Sequence, residues 1–160
     1  MKNRLRGLFP ESADVDQEAE TVEKGGRRPG IMITDHAGRG TAIDVFCEPD
    51  QVVDAAEIME AADFFLEAVT GVDWLKEDRI EVIYDYNHYG PAPCRVVIRT
   101  FIFRTGPEIP TISHILPAAD WHEREAHDFY GIRFAGHPNL IPILLPEDAD
   151  FHPLLKDFTP

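Results

Sequence analysis

The stretch from residue 79 to residue 103 decides the fold: Arg79-Ile80-Glu81-Val82-Ile83-Tyr84-Asp85-Tyr86, the connection beginning Asn87-His88-Tyr89-Gly90-Pro91, and Cys94-Arg95-Val96-Val97-Ile98-Arg99-Thr100-Phe101-Ile102-Phe103. In the first run Ile80, Val82 and Tyr84 alternate, the two-residue period of a strand with one face buried. The second run is apolar on both faces, with Val96, Ile98 and Ile102 on one and Val97, Phe101 and Phe103 on the other. The connection is turn-like, so the pair predicts an antiparallel hairpin.

Upstream, residues 31–34 and 42–47 read as short strands, and Ile43, Val45 and Cys47 share a face of the second. Glu48-Pro49-Asp50 then offers a helix start with Asp50 as N-cap. From 51 to 70 the apolar residues Val52, Ala55, Ala56, Met59, Ala62, Phe65 and Ala68 recur at three- and four-residue steps. This predicts a helix of about five turns with Gly71 as its C′ residue.

Downstream of the hairpin, Pro107-Glu108-Ile109-Pro110 closes the sheet region. A second helix is expected near Thr111, broken at Pro117, and a third over residues 118–130, ending at Gly131. The remainder carries five prolines and no long periodic run, so it reads as an extended arm. The expectation is therefore α+β: a small mixed or antiparallel sheet with helices on one side, then a proline-rich C-terminal arm. Residues 1–30 read as a flexible tail, 31–135 as the folded domain and 136–160 as the docking arm. The tail assignment rests on the acidic stretch from Glu11 to Glu20 and the linker-like Gly25-Gly26-Arg27-Arg28-Pro29-Gly30.

Charge and composition exclude several function classes. The formal net charge is −14, and residues 1–30 are balanced, so the remaining 130 carry nine basic side chains against 23 acidic ones. Nucleic acid and anionic lipid both demand the opposite sign; the excess suits a partner with basic patches, or equally serves only solubility. No apolar run approaches the roughly 20 residues of a spanning helix, and the start of the chain shows no signal-peptide core. The expectation is a soluble chain, or one held at a membrane through partners. Cys47 and Cys94 stand apart, too few for a conventional iron–sulfur cluster, and read as buried reduced thiols, with a disulfide between them as the alternative.

Five of the seven histidines lie between His114 and His152, which calls for a test of metal binding. The run His122-Glu123-Arg124-Glu125-Ala126-His127 looks like a zinc-protease helix, but its histidines are five apart, about 140° around a helix. They cannot ligate one ion from a regular helix, which leaves a free-standing metal-dependent hydrolase as a remote reading. Glu123 and His127 share a face at i, i+4, as do Arg124 and Asp128. Such pairs are ordinary surface contacts or a polar cluster at an interface, with charges that a partner must match. No nucleophile elbow or phosphate loop stands out. Trp121, Phe129, Tyr130, Phe134, Phe151 and Phe158 are candidates for core or docking anchors.

Residues 121–138 contain Glu123-Arg124-Glu125, Asp128-Phe129-Tyr130-Gly131-Ile132 and Gly136-His137-Pro138. This resembles the signature of the complex I 30 kDa (C) subunit family, with Trp121 just ahead of it. Downstream, Leu144-Leu145-Pro146-Glu147-Asp148 and His152-Pro153-Leu154-Leu155-Lys156-Asp157-Phe158 look like that family's closing arm. The resemblance implies a non-catalytic subunit with no cofactor or metal of its own. It would pack on a large subunit related to nickel–iron hydrogenases, with a small iron–sulfur subunit in the same complex. Iron–sulfur clusters, and in some assemblies nickel–iron, would sit in those partners. The location implied is the cytoplasmic side of the cell membrane, peripheral, with membrane subunits contacted only indirectly. Glu123, Arg124, Glu125 and Asp128 would be interface or scaffold residues.

Three departures bear on which complex this is. Complex I members commonly place two arginines where Ile141-Pro142 stand here; Leu154-Leu155-Lys156 replaces a frequent Leu-Arg-Lys; and the sequence ends at Pro160 where many members continue. These favour an energy-converting, membrane-bound nickel–iron hydrogenase, including formate-hydrogenlyase-type complexes, with an NADH:quinone oxidoreductase as the alternative.

Overall fold

The computed structural model describes residues 1–8, 29–34, 36–88, 90 and 94–159. A short helix α1 (Lys2–Leu5) and a 3-10 turn lead the chain, followed by β1 (Gly30–Ile33), the helical turn α2 (His36–Arg39) and β2 (Ile43–Phe46). Next come α3 (Val52–Glu60), β3 (Phe65–Trp74), β4 (Arg79–His88), β5 (Cys94–Phe103), β6 (Glu108–Pro110), α4 (Ala119–Tyr130) and β7 (Arg133–Ala135). The main sheet runs β1-β2-β5-β4-β3, with β2 and β5 parallel and all other neighbours antiparallel. The predicted hairpin is β4–β5, in register from Arg79 opposite Phe103 to His88 opposite Cys94. Strands β6 and β7 form a separate parallel pair.

One face of the sheet carries the core. Ile80, Val82, Tyr84 and Tyr86 from β4 and Val96, Ile98 and Ile102 from β5 pack with Ala55, Ala56 and Met59 of α3 and Ala119 and Ala126 of α4. Ile109, Ile112, Ile132 and Phe134 close the layer around α4. The mixed sheet with its helices on this face is the α+β architecture expected from the sequence.

The long helix expected over 51–70 is corrected: α3 stops at Glu60, and 65–74 is an edge strand. Asp63 adopts a left-handed backbone, φ 60°, which ends the helical run. A β-bulge between Leu66 and Ala68 shifts the register, so the buried Leu66 and Val69 stand three apart and imitate a helical step. Gly71 is thus a strand residue, not a helix C′. A Cβ there would lie 2.5 Å from Cδ2 of Tyr130, so its missing side chain lets α4 approach the sheet. Asp50 caps nothing; a 3-10 turn over Pro49–Gln51 is closed by a capping box between Glu48 and Gln51.

The helix expected from Thr111 is also absent. The Leu116 N–H reaches the Ile112 carbonyl at 3.0 Å, one isolated turn before Pro117. By contrast, α4 ends at Gly131 as expected, with φ 73° and its N–H bonded to the His127 carbonyl at 2.8 Å. The tail reading fails for the first eight residues, since Leu5 is fully buried and Leu8 nearly so in the core; residues 9–28 lie outside the described residues. Both thiols are free: Cys47 is buried, and Cys94 half-buried.

Candidate functional site

Helix α4 projects its charged side chains toward a segment that has no ladder of its own. Beyond β7 the chain from 136 to 159 contains neither strand nor helix, so its backbone groups need other partners. The sequence-predicted residues supply many of them.

Asp128 is buried, and one carboxylate oxygen accepts three successive backbone N–H groups, from Ile143 at 2.9 Å, Leu144 at 2.7 Å and Leu145 at 3.1 Å. Burial alone would raise its pKa; those three donors, with His127 nearby, outweigh burial and hold it below the ordinary aspartate value. One turn earlier, Arg124 donates from Nε to the Ile141 carbonyl at 3.0 Å and from Nη2 to the Pro142 carbonyl at 3.1 Å. Its guanidinium also lies 5.6 Å from the Trp121 ring centre. Ile141 and Pro142, the departures from the complex I pattern, are therefore the arm residues that Arg124 holds.

Glu123 is fully buried. It accepts from the Thr111 hydroxyl and, at 2.8 Å, from the Ile112 N–H, tying α4 to the segment after β6. Burial pushes its pKa up to about 7 against the two hydrogen bonds that oppose it, with a small further rise from Asp120. The buried His137 ring faces it, Nε2 lying 3.8 Å from the carboxylate, 3.9 Å from Asp120 Oδ2 and 3.3 Å from the Asp120 carbonyl. Because His137 Nδ1 accepts the Asn139 N–H at 3.1 Å, Nε2 is the nitrogen that carries hydrogen toward this cluster. Glu123, Arg124 and Asp128 are thus matched from within the chain, where the sequence left open whether a partner must do it.

The end of the arm returns to α4 and the sheet. His152 donates from Nδ1 to the Asp128 carbonyl at 2.8 Å, and its ring sits where a Cβ on Gly131 would fall, 2.6 Å from Nε2. Gly131 is therefore required twice, by its left-handed backbone and by this ring. The Leu154 N–H bonds the Phe129 carbonyl at 3.1 Å. Lys156 donates its backbone N–H to Asp73 at 2.7 Å and holds its ammonium 6.0 Å from the Trp74 ring centre. Asp157 and Asp73 both pair with Arg104, raising the arginine's pKa and lowering that of Asp157. Phe158 stacks on Phe151, centroids 5.4 Å apart.

The remaining predicted residues divide simply. Glu125 and Pro138 are exposed, Phe129, Tyr130 and Pro153 are half-buried, and Gly136 turns the chain at φ 84°. Sequence reasoning missed Thr111, Asp73 and Arg104. A signal for Asp73 existed: it shares the core face of β3 with Val69 and Gly71, where a carboxylate needs a cation.

Helix α4 and the arm leave five large apolar side chains exposed, Trp121 on the helix and Ile141, Leu144, Phe151 and Leu154 on the arm, Trp121 and Leu144 by more than 60%, beside the exposed charges of Glu147, Asp148, Asp150, Lys156 and Asp157. Among the described residues no group of three or more metal-ligating side chains gathers, and no helix is long and apolar enough to cross a membrane. His127 turns its Nδ1 to the Ile132 carbonyl at 2.9 Å, in place of any shared site with His122.

An α+β layer whose charged helix fastens an arm with large apolar side chains left at the surface has the character of a domain with an interaction surface. Residues 45–160 match the model of the family described as "Respiratory-chain NADH dehydrogenase, 30 Kd subunit", and the chain belongs to that family. It is 38% identical over 134 residues to the C-type subunit of the NADH-quinone oxidoreductase of Roseiflexus castenholzii, covering 81% of this chain and 76% of that one. Among solved structures it resembles a chain of an archaeal membrane-bound sulfane sulfur reductase, a respiratory membrane complex, at TM-score 0.66 and 29% identity, covering 73% and 71% of the two chains. It also resembles a trypsin-resistant fragment of Nqo5, at TM-score 0.59 and 25% identity, covering 70% and 89%. The chain is thus a 30 kDa-type subunit of a membrane-bound respiratory complex.

Proposed function

We propose that this chain is a docking subunit without a redox centre of its own, seated on the large, nickel–iron-hydrogenase-like subunit of a membrane-bound redox complex. It sits on the cytoplasmic side of the membrane and reaches the membrane only through its partners. Glu123, Arg124 and Asp128 act as scaffold, and Trp121, Ile141, Leu144, Phe151 and Leu154 as contact. The observation that carries this reading is the row of exposed apolar side chains on an arm whose course is fixed by buried charges. Large apolar groups left outward on a well-fastened surface mark an interaction site.

The partner complex is in the first reading an NADH:quinone oxidoreductase, supported by the names of the relatives. A hydrogenase or formate-hydrogenlyase-type complex is the second reading, favoured by Ile141-Pro142 standing where complex I members commonly place two arginines.

Purifying the tagged chain from its own organism in mild detergent tests both levels. Membrane companions with quinone reductase activity and no nickel support the first reading; stoichiometric nickel in the large subunit supports the second. Trp121→Glu combined with Leu144→Glu should abolish recovery of the large subunit while the chain keeps its circular dichroism spectrum. Recovery of the wild-type chain alone would overturn the proposal.

A further inference from the structure

The end of the sheet carries a second feature that the helix–arm contact does not use. Where β2, β4 and β5 meet the turn before α3, a groove of about 790 Å³ opens, lined by Phe46, Phe101 and Phe103 and by Cys47 and Ile102 from the core side. Its floor is aromatic: Phe46 lies 5.3 Å from Phe101, ring centre to ring centre, and Phe103, two residues further along the same strand face, is 76% exposed. An isolated exposed phenylalanine needs no explanation, but one continuous with two partly buried rings in a concave surface does.

The rim is acidic. Among the described residues four carboxylates line the groove, from Glu48, Glu77, Asp78 and Glu108, against a single cation, Arg79. Arg79 is committed to Glu77 at 2.8 Å, and Glu108 pairs with Arg133 outside the groove. Glu48 closes the capping box with one carboxylate bond to the Gln51 N–H and keeps its charge at the rim. Asp78 sits exposed at a left-handed corner, φ 53°. The surplus at the rim is therefore negative, on Glu48 and Asp78.

The floor also shows what it accepts. The Arg79 guanidinium lies 4.7 Å from the Phe101 ring centre while ion-paired to a rim carboxylate. This is a cation held between an aromatic face and an anion. Phe103, directly opposite Arg79 in the hairpin register, lines the same groove as the carboxylates of Asp78 and Glu48.

We propose that this groove is a second docking site, which takes an extended segment of a partner subunit carrying a lysine or arginine beside an apolar side chain. The basic group lies over Phe103 toward Glu48 and Asp78, and the apolar side chain fills the floor against Phe46 and Phe101. An acidic groove gives orientation and speed of encounter more than affinity, so the aromatic floor supplies the hold. The site is independent of Trp121 and the arm, so it and the α4 contact can fail separately.

The experiment places a photo-crosslinking amino acid at position 103 of the tagged chain in its native complex and sequences the crosslinked peptides. A partner peptide with a lysine or arginine within a few residues of the attachment is the expected result. The double variant Glu48→Lys, Asp78→Lys should lower that crosslink at least about tenfold while the large subunit still co-purifies through the α4 face. Four results overturn the proposal: a peptide without basic residues, a second copy of this chain, the chain's own residues 9–28, or a yield that charge reversal leaves unchanged.

Discussion

The two faces of this molecule use charge in different ways. Around α4 the charged side chains bond backbone: Asp128 takes three N–H groups, Arg124 two carbonyls, and Asp73 the Lys156 N–H. On the outer face of the sheet they pair with one another, Arg95 with Asp85 at 2.8 Å and Arg99 with Asp44 at 3.0 Å. Strands satisfy their own backbone through the ladder, so charges there only add to a structure already closed. The arm has no ladder, so the N–H and carbonyl groups that its isolated turns leave over are taken by side chains. Removing a charge should therefore change the path of the chain on the first face and little beyond a local contact on the second.

The largest expected effect belongs to Glu123. Its pKa in the folded chain, about 7, lies above the ordinary 4.5, so between those values the folded state binds a proton that the unfolded state has released. Stability from this group is complete below about pH 4.5 and declines as pH rises to about 7, by up to about 3 kcal/mol. Urea denaturation at pH 5 and pH 7.5 should show that decline in the wild type and a much flatter profile in Glu123→Gln. An identical slope in both would assign the pH dependence to another group.

Asp128→Ala comes next, at about 2–3 kcal/mol for a buried charged acceptor serving several donors. Its depressed pKa has the opposite sign: the stability it gives is present above the ordinary aspartate value and lost as pH falls through its lower folded value. The arm of the variant should be cut by protease well before the sheet is, and equal cleavage rates in variant and wild type would break the proposed role. Gly71→Val tests the seam between the two faces. Its Cβ would meet the Tyr130 ring at 2.5 Å, an overpacking worth about 1–3 kcal/mol. Adding Tyr130→Ala should relieve part of that loss in thermal denaturation.

Much of this comparison can be read from the residues, and some cannot. The β4–β5 hairpin announces itself because Ile80, Val82 and Tyr84 keep strict alternation, and α4 because Gly131 ends a charged helical run. Strand β3 does not, since its bulge turns a two-residue period into a three-residue step at Leu66 and Val69, and Ala62 upstream extends the α3 pattern. The family motif marks Glu123, Arg124 and Asp128 as a group. Their partners are mostly backbone groups up to 18 positions away, and a backbone N–H leaves no trace in a sequence. The Asp73–Arg104–Asp157 cluster is hidden for another reason: its members come from β3, the end of β5 and the arm, and only the fold brings them together.

Arg95→Ala carries the smallest predicted effect and sharpens the comparison most. Its guanidinium makes two good bonds to Asp85, at 2.8 Å and 2.9 Å, geometry as regular as any on the helix side. It is nevertheless 39% exposed, so water and salt replace much of what the pair gives, and exposed pairs are worth about 0.2–1 kcal/mol. Arg104 offers the control: its partner Asp73 is nearly inaccessible and also receives the Lys156 N–H. A double-mutant cycle should give a larger coupling for Arg104 with Asp73 than for Arg95 with Asp85, and only the latter should fade in about 0.5 M salt. Equal couplings would mean that pairing geometry, and not the need of an unladdered backbone, sets the worth of these charges.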